Sequence, residues 1–196
     1  ALILSQAARA AVTVQAESKS FSASASQINS SFDVYFSSVS GSPVTLSGYQ
    51  VKITLTPTGA GLSFTTPLKT SSPHLPQFAS GDNFDTSGSG VSIAFVTDFS
   101  NSSANDQPLV VGNGLMRVPF SIPANTVGVY SLHIDTSAVG TQLADNNGNA
   151  VAFTPIDGTI QVSAVPEPSS IVLAMIAAIG FAGFMRRRGA SHSPAV

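Results

Sequence analysis

Between residues 12 and 164 the apolar positions recur with a period of two. Tyr49, Val51, Ile53 and Leu55 alternate with Gln50, Lys52, Thr54 and Thr56, which places one set on each face of an extended strand. Phe32, Val34 and Phe36 alternate in the same way with Asp33, Tyr35 and Ser37, and Tyr130, Leu132 and Ile134 with Val129, Ser131 and His133. Met116, Val118, Phe120 and Ile122 oppose Leu115, Arg117, Pro119 and Ser121; Pro119 has no N–H to give to a ladder and points to an edge strand or a bulge. Val91, Ile93 and Phe95 alternate with Ser92 and Ala94, and shorter runs lie at 12–16, 62–64, 151–153 and 159–162. About nine strands result, separated by Gly, Pro, Asn and Ser clusters. No helical period appears before Ser169, and no fixed-period repeat signals a solenoid or propeller. One-sided alternation with polar turns predicts an all-β domain, an antiparallel β-sandwich that buries its Phe, Val, Ile and Leu sets between two sheets. Residues 71–90 form the longest stretch without a pattern, either a functional loop or a mobile insertion.

The pattern changes after Ser169. Residues 171–185 are an uninterrupted run of apolar and small residues, and with Ser169 and Ser170 they make a helix of about 17 residues, roughly 25 Å long. That is the short end of membrane-spanning length, and a buried core helix has the same length. The flanks favour the membrane: Pro166 and Pro168 stop backward extension, and Arg186, Arg187 and Arg188 follow the run and would be costly in a core. The expectation is a single C-terminal transmembrane helix over 169–185, its arginines cytoplasmic and everything before it across the membrane. Ala1, Leu2, Ile3 and Leu4, followed by Ala8-Arg9-Ala10, read either as the remnant of a leader with its cleavage site or as a frayed N-terminus. The organisation is then 1–11, a leader remnant or frayed end; 12–164, an exported sandwich; 165–188, a tail; and 189–196, a cytoplasmic end.

Composition sharpens this division. Only 9% of the 196 residues are charged, against roughly 25% in soluble domains, while Ser and Thr supply 46 residues. The net charge of −2 leaves no general basic surface for phosphate backbones, so no nucleic-acid partner is expected. Within 12–164, however, four cations (Lys19, Lys52, Lys69 and Arg117) stand against nine carboxylates, a net charge of −5. The compensating cluster is Arg186, Arg187 and Arg188, so near-neutrality sums over two sides of a membrane. The absence of cysteine excludes disulfide frameworks, thiol catalysis and Cys-ligated metals.

Candidate chemistry is sparse. Asp145, Asn147 and Asn149 space oxygen ligands at alternate positions, as calcium loops do, yet no glutamate follows to complete such a loop, and Asn and Gly equally favour a plain β-turn. Apart from this calcium reading no cofactor is expected. Asp82, Asp85, Asp98 and Asp106 mark a second acidic region. His133 and Asp135 share a strand face, but no nucleophile elbow accompanies them, and a solvated strand face is the plainer reading; His74 lies between prolines and His192 beyond the apolar tail. Glu17 and Glu167 are the only glutamates, which leaves little material for paired-carboxylate hydrolysis. There is no Trp, and Tyr35, Tyr49 and Tyr130 read as rim or core residues, not as a sugar platform. These counts point away from an enzyme.

Two resemblances add to this. Val165-Pro166-Glu167-Pro168, a short apolar helix and Arg186-Arg187-Arg188, in that order, resemble the PEP-CTERM sorting tail of exported proteins in Gram-negative bacteria. The resemblance implies recognition in the inner membrane and cleavage near Pro-Glu-Pro by an exosortase, a membrane-embedded cysteine protease, with a destination in the cell envelope or exopolysaccharide matrix. The sequence departs from the family in the eight residues that follow the arginines. The domain itself resembles, through Leu46-Ser47-Gly48-Tyr49-Gln50-Val51, Gly114-Leu115-Met116-Arg117-Val118-Pro119-Phe120 and the 143–151 hairpin, the cohesin-like and carbohydrate-binding β-sandwiches. The expected function is that of an exported, non-enzymatic envelope or matrix protein. Two alternatives stand beside it: a module that binds polysaccharide or calcium, and a permanently anchored single-pass membrane protein.

Overall fold

Alternation of β-branched and aromatic residues with hydroxyl residues gives each strand one face to bury and one to hydrate. The computed structural model describes residues 11–40, 45–58, 61–69, 83–100, 107–165, 172, 175–179 and 181. Ala1–Ser163 and Ala164–Val196 are separate units. In the first, twelve strands form among the described residues: β1 (Ala11–Ala16), β2 (Lys19–Ser22), β3 (Ile28–Ser40), β4 (Thr45–Thr56), β5 (Ser63–Phe64), β6 (Ile93–Phe99), β7 (Gln107–Pro108), β8 (Gly114–Ile122), β9 (Gly128–Ile134), β10 (Gln142–Asp145), β11 (Phe153–Ile156) and β12 (Gly158–Ser163). They make a five-stranded sheet in the order β11-β1-β3-β8-β5 and a seven-stranded sheet containing β10-β4-β9-β12-β2, with β6 and β7 also on β4. The three strands beyond the expected nine, β2, β7 and β10, have four residues or fewer.

The core lies between the sheets. Val12 and Val14 of β1, Phe32, Val34 and Phe36 of β3, Val51, Ile53 and Leu55 of β4, Met116, Val118 and Phe120 of β8, and Tyr130, Leu132 and Ile134 of β9 are all buried. Phe32 is the hub of an aromatic cluster, its ring 5.7 Å from that of Phe64 and 6.2 Å from that of Phe120, while Phe21 meets Phe120 edge-on at 5.9 Å. Pro119 sits in an interior strand and not on an edge, since β8 lies between β3 and β5. Its carbonyl accepts the Thr65 N–H at 2.9 Å. A strand residue aims its N and O to the same side, so the missing hydrogen falls where β5 has already ended and costs no bond to β3.

The expected face of β6 is inverted. Ala94, Val96 and Asp98 point inward, whereas Val91 is 69% exposed and Ile93 and Phe95 are half-buried on the outside. The outward residues find cover from the chain that precedes them: Asp85 pairs with Thr97, Ser89 Oγ bonds both the Phe95 N–H and its carbonyl, and Gly88 lies against the Phe95 ring. Periodicity alone cannot distinguish this arrangement from the opposite one.

The purely antiparallel expectation also fails, at both ends of the domain. β1 pairs with β11 in parallel in the smaller sheet, and β2 pairs with β12 in parallel in the larger. Of the passages between the two sheets, the one from β1 to β2 at Glu17-Ser18 and the one from β11 to β12 at Asp157 run side by side. Gly158 makes this possible: a Cβ there would sit 2.8 Å from the Ala16 carbonyl oxygen and 2.9 Å from that of Glu17. The Thr159 N–H then donates to Ser18 Oγ at 3.0 Å.

In the second unit, Val172, residues 175–179 and Phe181 are helical, with exposed side chains. No described helix is long and apolar enough to cross a membrane. Most of the span expected at 169–185 lies outside the described residues.

Because two backbone oxygens confront the Gly158 position, Gly158→Ala is expected to destabilise the protein by about 1–3 kcal/mol, whereas Gly90→Ala, with nothing within 4 Å of its Cβ, stays near neutral. Urea unfolding midpoints of the two variants check this.

Candidate functional site

Register brings together an outer groove that the linear sequence scatters. On the outside of the larger sheet, Ala150 opposes Ala144, Ala144 opposes Gly48, and Gly48 opposes Phe99. This row is a floor of small residues across β10, β4 and β6 that ends at the Phe99 ring, 53% exposed. A Cβ on Gly48 would sit 3.2 Å from that of Phe99, so the glycine keeps the floor low beside the ring. The neighbouring row, Gln142, Gln50 and Thr97, is polar. Together with Thr136, Gly148 and the chain from Ala150 to Phe153 they line a cleft of about 620 Å³.

The groove is held from beneath and from one side. Tyr49 is buried below it and donates to the Leu115 carbonyl at 2.7 Å, with Asp98 Oδ2 3.3 Å away; burial first, and the neighbouring Asp98 carboxylate second, push the phenol well above its ordinary range. Residues 135–141 form a loop where β9 hands its place beside β4 to β10. The Asp135 N–H bonds the Lys52 carbonyl at 3.0 Å, the Lys52 N–H bonds Thr141 Oγ1 at 3.1 Å, and Gln50 Nε2 donates to the Gly140 carbonyl at 2.5 Å. Gly140 packs so tightly on Asp135 that no side chain fits there. The Asp135 carboxylate lies 2.8 Å from Lys52 Nζ and accepts the Ser137 N–H at 2.9 Å, which hold its pKa down at about 2, against 3.8 ordinarily.

The residues singled out in the sequence fall into separate places. Asp145 Oδ1 accepts the N–H groups of Asn147 and Asn149, each at 2.8 Å, and Oδ2 accepts from Asn149 Nδ2 at 3.1 Å. These bonds, from Asn149 above all, lower the Asp145 pKa, and Gly148 closes the turn with φ of 77°. Among the described residues no group of three or more His, Asp or Glu side chains is placed to hold a metal ion. Asp85 is taken up in a turn with Ser87 on the outside of β6, Asp98 is buried on the inside, and Asp82 and Asp106 lie outside the described residues. His133 does not pair with Asp135: its Nδ1 is 2.8 Å from Asp157 Oδ2, while Asp157 Oδ1 accepts the Ile134 N–H at 2.9 Å, which ties β9 to the sheet crossing. Tyr49 and Tyr130 are core residues and Tyr35 is half-buried. Val165 is half exposed; Pro166, Glu167, Pro168 and the three arginines lie outside the described residues. Sequence reasoning missed the groove because Phe99 lies beyond the alternation read at 91–95, and only pairing across three strands sets it beside Gly48 and Ala144.

Comparison with known proteins bears on both units. Residues 164–188 match the PEP-CTERM protein-sorting motif. No curated protein matches the chain. Among solved structures, the sixth cohesin of scaffoldin B from Acetivibrio cellulolyticus, in complex with a variant Cel5 dockerin, has a TM-score of 0.59 at 13% identity, over 78% of this chain and 99% of that one. The seventh ScaB type I cohesin of Pseudobacteroides cellulosolvens gives 0.55 at 15%, over 82% and 96%. A non-cellulosomal cohesin from the archaeon Archaeoglobus fulgidus gives 0.50 at 13%, over 83% and 96%. The domain is thus a cohesin-like β-sandwich, and the chain carries a PEP-CTERM sorting motif directly after the last described strand.

The low pKa of Asp135 predicts an acid-sensitive contribution to stability. A carboxylate held below its unfolded value stabilises the fold fully above about pH 4 and loses that contribution as pH falls through about 2. Asp135→Asn is expected to lower stability at neutral pH, and its deficit relative to wild type should shrink steadily as urea midpoints are taken from about pH 5 down to about pH 2.

Proposed function

We propose that the chain is an exported, non-enzymatic binding module, delivered to the cell envelope by a C-terminal signal that an exosortase-type membrane protease removes. The observation that carries this reading is the sorting-motif match over 164–188, which begins at the residue after β12 ends. Export sets an acidic, hydroxyl-rich domain on one side of the inner membrane. Val165, Pro166, Glu167 and Pro168 give the protease an extended segment, since proline excludes the helix backward from the membrane run. Val172, Met175, Ile176, Ile179 and Phe181 present exposed apolar side chains on helical residues, as a lipid-facing helix does, and Arg186, Arg187 and Arg188 hold the far end in the cytoplasm. The helix is short for a durable anchor, which suits transient retention before cleavage. Cohesin-like architecture supports a binding role with a protein partner: the Acetivibrio cohesin is seen with a dockerin.

Replacing Pro166, Glu167 and Pro168 together by alanine is expected to leave the protein in the membrane fraction with its tail attached, whereas the wild-type chain matures to a C-terminus near residues 165–168. Intact-mass spectrometry of both proteins from the producing cell decides. A wild-type chain that keeps residues 169–196 would make the helix a lasting anchor, and an identical mature terminus in both proteins would remove the motif from the processing step.

A further inference from the structure

The groove over Gly48, Ala144 and Ala150 has a chemistry of its own, independent of how the tail is processed. Among the described residues its lining includes no lysine, arginine or histidine, and the one carboxylate there, Asp98, is 1% exposed. A phosphorylated or sulfated ligand meets no countercharge there, and a cation meets no exposed carboxylate. What the groove offers is a flat apolar floor of methyl groups and glycine, an exposed ring at one end, and a row of neutral amides and hydroxyls beside it. The two amides are already anchored: Gln50 Nε2 donates to the Gly140 carbonyl and Gln142 Nε2 to that of Ala138, and each Oε1, an acceptor, has no hydrogen bond among the described residues. Apolar faces edged by hydroxyls are the surface of a sugar ring, whose C–H faces pack on aromatic and small apolar groups while its hydroxyls bond planar amides. The volume of about 620 Å³ lies within the range of small-molecule sites, enough for about two or three such rings. The position on an outer sheet face, and not in a closed cavity, suits the interior of a chain over a free monosaccharide.

We propose that this groove binds a short stretch of neutral polysaccharide, with Phe99 as its stacking platform and Gln50 and Gln142 as its hydroxyl-reading amides. A chain with only 9% charged residues, and with the cations of residues 12–164 engaged elsewhere, has the surface such a ligand needs. Lys19 meets Glu17 at 2.6 Å, Lys52 meets Asp135, Arg117 meets Asp33 at 2.7 Å, and Lys69 lies over the Phe84 ring.

Affinity electrophoresis of the full chain in a zwitterionic detergent tests this, through gels that contain dextran, laminarin, soluble starch or hydroxyethylcellulose, and, as acidic counterparts, alginate or hyaluronan. At least one neutral polymer is expected to retard the wild type, and the acidic ones less. Phe99→Ala should weaken that retardation about tenfold, Phe99→Tyr should keep it, and the melting temperature should hold, since the ring is half exposed. Ala150→Glu, at an exposed loop position, puts a carboxylate over the floor and is expected to weaken retention without touching Phe99. Absence of retardation by every neutral polymer, stronger retention by an acidic one, or wild-type retention in both Phe99→Ala and Ala150→Glu would overturn the assignment. None of these results depends on cleavage at Pro-Glu-Pro.

Discussion

Everything in the sandwich hangs on the pair of adjacent crossings at Glu17-Ser18 and Asp157-Gly158. A two-sheet protein must carry its chain from one layer to the other, and each crossing exposes backbone polar groups that neither sheet satisfies. These two crossings are tied to each other, the Thr159 N–H of one donating to Ser18 Oγ of the other. β1 and β11 leave the smaller sheet as a parallel pair, β2 and β12 enter the larger one as a parallel pair, and Gly158 allows the two backbones to touch. Asp157 then uses one oxygen for the Ile134 N–H and the other for His133, so the corner also fixes β9. β9 in turn sets the 135–141 loop, the loop sets β10, and β10 provides half of the outer groove. The groove is positioned by a corner at the other end of its sheet.

The same economy governs charge. In a domain with so few ionic groups, each cation has a structural partner. Arg117 and Asp33, directly opposite each other on β8 and β3, make a bidentate pair with bonds of 2.8 and 2.7 Å at the centre of the smaller sheet's outer face. Lys52 and Asp135 fasten the switch from β9 to β10. Charge is used for registration, and the outer faces carry hydroxyl, amide and apolar surface, Phe99 and Val129 included. Such surfaces recognise neutral partners through shape and hydrogen bonding, and a protein of this kind needs an address more than it needs chemistry. The tail supplies the address.

The groove and the tail differ in how far the sequence reveals them. The tail is legible because its physics is local: two prolines, an apolar run and three arginines act through their immediate neighbours in the chain. The strands with strict alternation, β3, β4, β8 and β9, are legible for the same reason. β6 is not, because its two faces are both apolar, and the one that faces inward is decided by residues 83–90 covering the other. Neither is the parallel pairing, since a strand's own residues carry no mark of the direction of its neighbour.

Local pattern therefore determined that this chain would be a hydroxyl-rich β-sandwich followed by an apolar run and an arginine cluster, because side-chain alternation and the length of an apolar run are properties of adjacent residues. Only the tertiary structure decided that His133 would meet Asp157 and not Asp135, that the Asp145 carboxylate would be taken up by its own turn, and that Phe99 would lie beside Gly48 and Ala144. Those outcomes depend on register between strands dozens of residues apart, and register is set by the whole core closing at once.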